Sequence, residues 1–149
     1  MKALSIKPPW AYLIIWGYPL TETVENPNGS TSVRLSGKAL LKNIENRSWP
    51  LPKGFEVPQR IYIHVGKRED NGAWLRLVNK GFAMFTSLLL SSPALPRGAI
   101  IGEVDIIGCV TESESPWFAG PYGFQLANPK AYEKPIPYKG KLGFFEVAQ

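Results

Sequence analysis

Three side chains of complementary chemistry stand close together in Lys42-Asn43-Ile44-Glu45-Asn46-Arg47-Ser48-Trp49. Spaced K-x-x-E-x-R, a cation, an anion and a second cation can partner one another and still present donors and acceptors to a ligand. Arginine supplies a rigid planar fork, lysine a mobile point charge, and glutamate an acceptor or proton carrier. Lys42 with a depressed pKa, or Glu45 with a raised one, would serve as a general base. Arg47 and His64, the only histidine, can stabilise developing negative charge, and His64 can act as acid or base on a phosphodiester. The bland alternatives are a structural Lys–Glu–Arg network and a hydrogen-bonded strand histidine.

The elements that must position these groups can be read along the chain. Ala3 to Ile6 reads as a short strand, ended by Pro8-Pro9. Pro9 to Trp16 reads as a short apolar helix that stops at Gly17. Trp10, Leu13 and Ile14 share one helix face, which makes Trp10 either core or the wall of a pocket near the helix start. Residues 18–39 are polar and turn-rich, a long surface loop with room for a small hairpin. A strand beginning near Lys42 points Glu45 and Arg47 one way, Ile44 and Asn46 the other. Lys42 then falls opposite Glu45, and joins it only if the chain turns or bulges there.

Ser48 to Pro58 is proline-rich and reads as a loop. Gln59 to Val65 alternates apolar and polar residues and reads as a strand. Asp70 can cap a helix carrying Trp74, Leu75, Leu77 and Val78. Gly81 breaks it, and Phe82 to Leu90 forms a second helical piece. Ala99 to Val110 is a long strand with Gly102 and Gly108 as bend points, and with Glu103 and Asp105 on the face of Ile101 and Ile107. Phe124 to Asn128 is a strand that Asn128-Pro129 turns out of, and Leu142 to Val147 is the last. About six strands and two or three short helices, not regularly interleaved, predict an α+β fold: a small, partly closed mixed β-barrel with helices packed at its side.

The 149 residues make one domain, 1–149, with a surface insertion at about 18–39. A net charge of +5 favours a polyanionic partner. Cys109 is the only cysteine, so no intrachain disulfide forms and a reducing compartment is expected. Its apolar run, Ile106 to Val110, reads it as a buried small hydrophobe. One Cys and one His argue against zinc, and no cofactor is expected. The N-terminus lacks signal-peptide character and the apolar runs are too short to span a bilayer, so a cytoplasmic protein without membrane contact is expected.

Three stretches resemble the ASCH-domain family of the PUA-like superfamily. Ala3-Leu4-Ser5-Ile6-Lys7-Pro8-Pro9-Trp10-Ala11 is similar to the family's LSI-x-x-PWA start. Lys42 to Trp49 is similar to its K-x-x-E-x-R core, and is followed by Ile61-Tyr62-Ile63-His64-Val65-Gly66-Lys67, like I-x-I-H-x-x-K. Gly98 to Val110, with Ser115-Pro116-Trp117-Phe118, Gly120-Pro121-Tyr122-Gly123 and Lys139 to Phe145, completes the likeness. The 18–39 insertion departs from it, since family members usually reach the lysine through a short Gly-containing turn.

The resemblance implies a PUA-like barrel with a cleft between barrel and first helix, lined by the motif residues. It implies binding of RNA or a nucleotide. A bacterial branch hydrolyses acetylcytidine and ribonuclease activity has been proposed for others. In the amidohydrolase branch the motif lysine, here Lys42, is catalytic, whereas a threonine stands where this chain has Glu45.

The expected function is therefore binding of RNA or a modified nucleoside. Lys42, Arg47 and Lys67 would contact phosphate or base edges, and Trp10, Trp49, Trp117 or Tyr122 would stack on a base. The alternative is a hydrolase acting on RNA or an acylated nucleoside with Lys42 and Glu45 as acid–base groups. A protein-interaction adaptor would need an exposed apolar patch on residues 18–39, which the sequence does not provide. Lys42 and Arg47 are expected at a site and not in the core, so that replacing either lowers affinity without unfolding the chain.

Overall fold

The computed structural model describes residues 1–82, 90 and 92–148. Strands dominate: β1 (Lys2–Ile6), β2 (Tyr18–Glu25), β3 (Thr31–Leu40), β4 (Ile44–Arg47), β5 (Gln59–Val65), β6 (Ala99–Val110), β7 (Tyr122–Pro137) and β8 (Phe144–Glu146). Two helices, α1 (Trp10–Ile15) and α2 (Ala73–Asn79), complete the described elements. Six strands pair in the order β4-β7-β6-β5-β1-β8, a sheet curled into half a barrel. Among the described residues only β1 and β5 run parallel, with Ser5 beside His64. The α+β class and the curled sheet thus match expectation.

Apolar alternation builds the sheet's inner face. Ile61, Ile63 and Val65 of β5 are fully buried, as are Leu4 of β1 and Ile106 of β6. Helix α1 closes over this face with Ala11 to Ile15 all buried. Gly102 permits that packing: a Cβ there would stand 2.4 Å from the Lys130 carbonyl oxygen and 3.0 Å from the Ile15 side chain. With Gly102 at a register shift, β6 approaches β7 closely under the helix.

Several local expectations change. Residues 18–39 are a full hairpin, β2 against β3, turning through Asn26 to Ser30. It opens at Gly17, whose positive φ ends α1, and its base pairs Tyr18 with Leu40. Val33 and Leu35 share one exposed hairpin face, because the hairpin stands off the core. Asp70 does not cap α2; Gly72 holds the N-cap position, and the Asp70 carboxylate accepts from Trp10 and Arg76 instead. β7 does not end at Asn128-Pro129: Asn128 adopts φ 54° and the strand continues to Pro137. Cys109 is exposed, not buried, because the end of β6 projects beyond the core. Ile107 is likewise exposed while Ile101 is buried, so the bulges of β6 break the single face expected for them. Most of the helical piece expected over Phe82 to Leu90, residues 83–89, lies outside the described residues.

Candidate functional site

Lys42 precedes β4 instead of lying on it. Its backbone N–H donates to the Leu13 carbonyl at 2.9 Å, which fastens the chain leaving the hairpin to α1. The turn brings Lys42 onto the side of Glu45. Lys42 Nζ donates to Glu45 Oε1 at 3.1 Å and to the Ile44 carbonyl. Arg47 Nη2 lies 2.9 Å from Glu45 Oε2 and donates to the Ser5 carbonyl, also at 2.9 Å. Both Glu45 oxygens are therefore held, one by each cation. Lys42 is only 4% exposed, so it belongs to the core's edge as well as to the site, contrary to expectation. Burial pushes its pKa down, and the Glu45 carboxylate opposes that effect without overcoming it.

Beside this triad lies a cavity of about 530 Å³, whose wall includes Trp10, Lys42, Glu45, Arg47, Lys67 and Trp117. Trp10 is locked in place. Its Nε1–H donates to Asp70 at 2.6 Å, and the Lys42 ammonium and Arg76 guanidinium lie 5.8 and 5.6 Å from its ring centre. Burial alone would raise the Asp70 pKa, but hydrogen bonds from Trp10 and Arg76 hold it below the ordinary value. Trp117 is 97% buried and stacks on Phe82. Asn46 ties its loop down, donating to the Trp117 carbonyl and accepting from the N–H groups of Ala119 and Gly120. Trp10 is the more exposed of the two indoles.

Eight lysines and arginines line the cavity against two carboxylates, Glu45 and Asp70, and both carboxylates are already paired. Arg47 Nε and Trp117 Nε1, of two residues in this wall, are shielded from water and without a hydrogen-bond partner.

Other expected residues fall elsewhere. Trp49 packs edge-on against Phe124 and Phe144, with the Arg47 guanidinium 5.5 Å from its ring centre. It positions the arginine and does not line the cavity. Tyr122 pairs with Arg47 across β4 and β7 and also lies outside the cavity wall. His64 is buried between Ser5 Oγ, 3.0 Å from Nδ1, and the Tyr138 carbonyl, 2.7 Å from Nε2. A carbonyl only accepts, so Nε2 carries the proton and, in the neutral ring, Nδ1 accepts from the Ser5 hydroxyl. Burial lowers the His64 pKa. His64 borders a second cavity and is absent from the wall of the first, although Ser5, its hydrogen-bond partner, belongs to both.

Sequence reasoning missed Ser5, Asn46, Asp70, Arg76 and Lys141, all in the first cavity's wall. Only Ser5, Asn46 and Lys141 sit inside the family-like motifs, where each could have been considered. Glu103 and Asp105 form a separate cluster around Arg60, at 2.9 and 3.2 Å, with Tyr132 donating to Glu103. Among the described residues no group of His, Cys, Asp and Glu is placed to hold a metal ion, and no helix is long and apolar enough to cross a membrane. Comparison of the chain with protein-family models and with curated proteins found no match.

Proposed function

We propose that this chain is a PUA-like, ASCH-type module that binds a nucleotide unit of RNA, or a modified nucleoside, in the cavity beside Lys42, Glu45 and Arg47. The observation that carries this reading is the cavity's lining: a fixed, partly exposed indole, Trp10, among eight cationic side chains, with no uncommitted carboxylate. Such a wall suits a ligand that is aromatic at one end and anionic at the other. A base stacked on an indole gains about 1–3 kcal/mol. Lysines and arginines at the rim neutralise phosphate charge. The cytoplasm, where RNA and nucleotides are abundant, is the proposed location.

The test is a titration with nucleoside monophosphates and short single-stranded RNA, followed by tryptophan fluorescence at two salt concentrations. Saturable quenching that weakens as salt rises, and is lost in Trp10→Ala, is the expected result. Absence of saturable quenching by every one of these probes would overturn the reading.

One observation favours hydrolysis as a second reading. The Lys42 amine, its pKa pushed down by burial, borders the cavity and touches a carboxylate. A lysine that loses its proton more readily can act as a general base toward an acylated nucleoside or an RNA phosphodiester, with Glu45 shuttling the proton. Mass spectrometry of acylated cytidine and RNA after incubation tests it. Product that disappears in both Lys42→Ala and Glu45→Gln would establish turnover.

A further inference from the structure

The second cavity, about 670 Å³, adjoins the first. Ser5, Gly66, Lys67, Lys141 and Leu142 belong to both walls. Its remaining wall is Lys139, Tyr138, His64 and the glycines 98 and 140, with no carboxylate among its lining residues. It therefore differs from the first cavity in kind. It offers three lysines and bare backbone, and its His64 ring is covered, so it suits an anionic chain better than a base.

The segment 139–142, whose Lys141 and Leu142 belong to both walls, has a specific support. Gly140 lies directly on the His64 ring: a Cβ there would stand 2.4 Å from His64 Cε1. His64 in turn is held by Ser5 and by the Tyr138 carbonyl. Lys139 and Lys141 are thus presented from a backbone seated on a fixed imidazole. Leu142, which belongs to both walls, is a large apolar side chain that is fully exposed. A leucine left wholly in water at the junction of two cationic cavities is placed to pack against a sugar or to wedge between neighbouring bases.

We propose that the two cavities form one trough whose ligand is a single-stranded oligonucleotide of two or more nucleotides. One base enters the first cavity, and the adjoining phosphate lies on Lys139 and Lys141 in the second, with Leu142 between the two nucleotides. A duplex is excluded from this arrangement because its bases are already stacked and paired. The proposal rests on the nucleotide reading of the first cavity and selects oligonucleotide over free nucleoside as the ligand class.

The test compares a nucleoside monophosphate, the matching dinucleotide, a tetranucleotide and duplex RNA on the wild-type chain and on Lys139→Ala and Leu142→Ala. Both residues are exposed, so neither change threatens the fold. The dinucleotide is expected to bind about tenfold more tightly than the monophosphate, with a salt slope steeper by about 0.7 for the added phosphate. Lys139→Ala should remove most of that gain and leave monophosphate affinity unchanged. Leu142→Ala should also weaken the dinucleotide more than the monophosphate. If the monophosphate binds but the dinucleotide gains nothing, if Lys139→Ala leaves the gain intact, or if duplex RNA binds as tightly as single strands, the trough is overturned and the nucleotide reading stands. If no probe binds, both fall.

Discussion

Lys42 Nζ stands 3.1 Å from Glu45 Oε1 with both side chains more than nine-tenths buried, and Arg47 holds the other carboxylate oxygen at 2.9 Å. Removing the anion leaves the buried Lys42 ammonium beside a second cation with no counter-charge. Glu45→Ala is expected to lower unfolding free energy by roughly 3 kcal/mol, the usual order for breaking a buried ion pair from one side. Urea denaturation of the variant and the wild type measures it, and a change under about 1 kcal/mol would show the pair to be far less coupled than its geometry implies.

Arg47 makes two contacts from one guanidinium nitrogen, to Glu45 and to the Ser5 carbonyl, while its Cζ lies 5.5 Å over the centre of the Trp49 ring. A lysine ammonium has the charge but not the planar fork or the stacking face. Arg47→Lys is expected to weaken nucleotide binding by about tenfold, one lost oriented contact of roughly 1.4 kcal/mol, with a smaller effect on stability. Fluorescence titration and thermal melting of the same sample separate the two effects. Equal affinity for wild type and variant would mean that the guanidinium's shape is not used.

His64 predicts a pH dependence. Burial pushes its folded pKa below the ordinary 6.5, and the hydrogen bond to Tyr138 only partly offsets that. The unfolded chain therefore binds this proton at a higher pH than the folded chain does. Stability is full above about pH 6.5 and declines as pH falls from there through the folded pKa. Because His64 is the only histidine, His64→Gln should flatten that region of the profile. Denaturation midpoints between pH 8 and 5 read it out, and a wild-type curve as flat as the variant's would contradict it.

The β2–β3 hairpin contributes no residue to either cavity wall, and its two ends meet at Tyr18 and Leu40. Replacing residues 20–37 by a short glycine turn is expected to leave nucleotide affinity within about twofold, since closing an exposed loop differently perturbs little beyond it. A much larger loss in titration would assign the hairpin a role in the ligand's path.

Much of this protein is legible in its residue pattern. The alternation of Ile61, Ile63 and Val65 defines β5, and the period-two spacing puts Glu45 and Arg47 on one side of β4. Those are local consequences of side-chain direction along a strand, and they need no knowledge of what the strand packs against. The hairpin is harder to see. Both its faces are exposed because neither packs on the core, and its apolar alternation, Val33 and Leu35, is too short to mark a half-buried strand.

The site's membership was decided by tertiary contacts. Lys42 reaches Glu45 because the Leu13 carbonyl of α1 takes its N–H, an interaction made across the whole length of the hairpin. Asp70, a reasonable helix cap by local rules, instead accepts from the indole N–H of Trp10 sixty residues away and from the Arg76 guanidinium of α2, so its carboxylate is not free for the backbone N–H groups that start the helix. His64 and Trp49 are credible ligand contacts by type, but Gly140 covers the first and the aromatic cluster of Phe124 and Phe144 absorbs the second. Residue types and spacing determined which chemistry the chain carries and which strand faces carry it. Which of those groups share a cavity was set by long-range backbone hydrogen bonds and close packing, whose partners are distant in sequence and leave no local period to read.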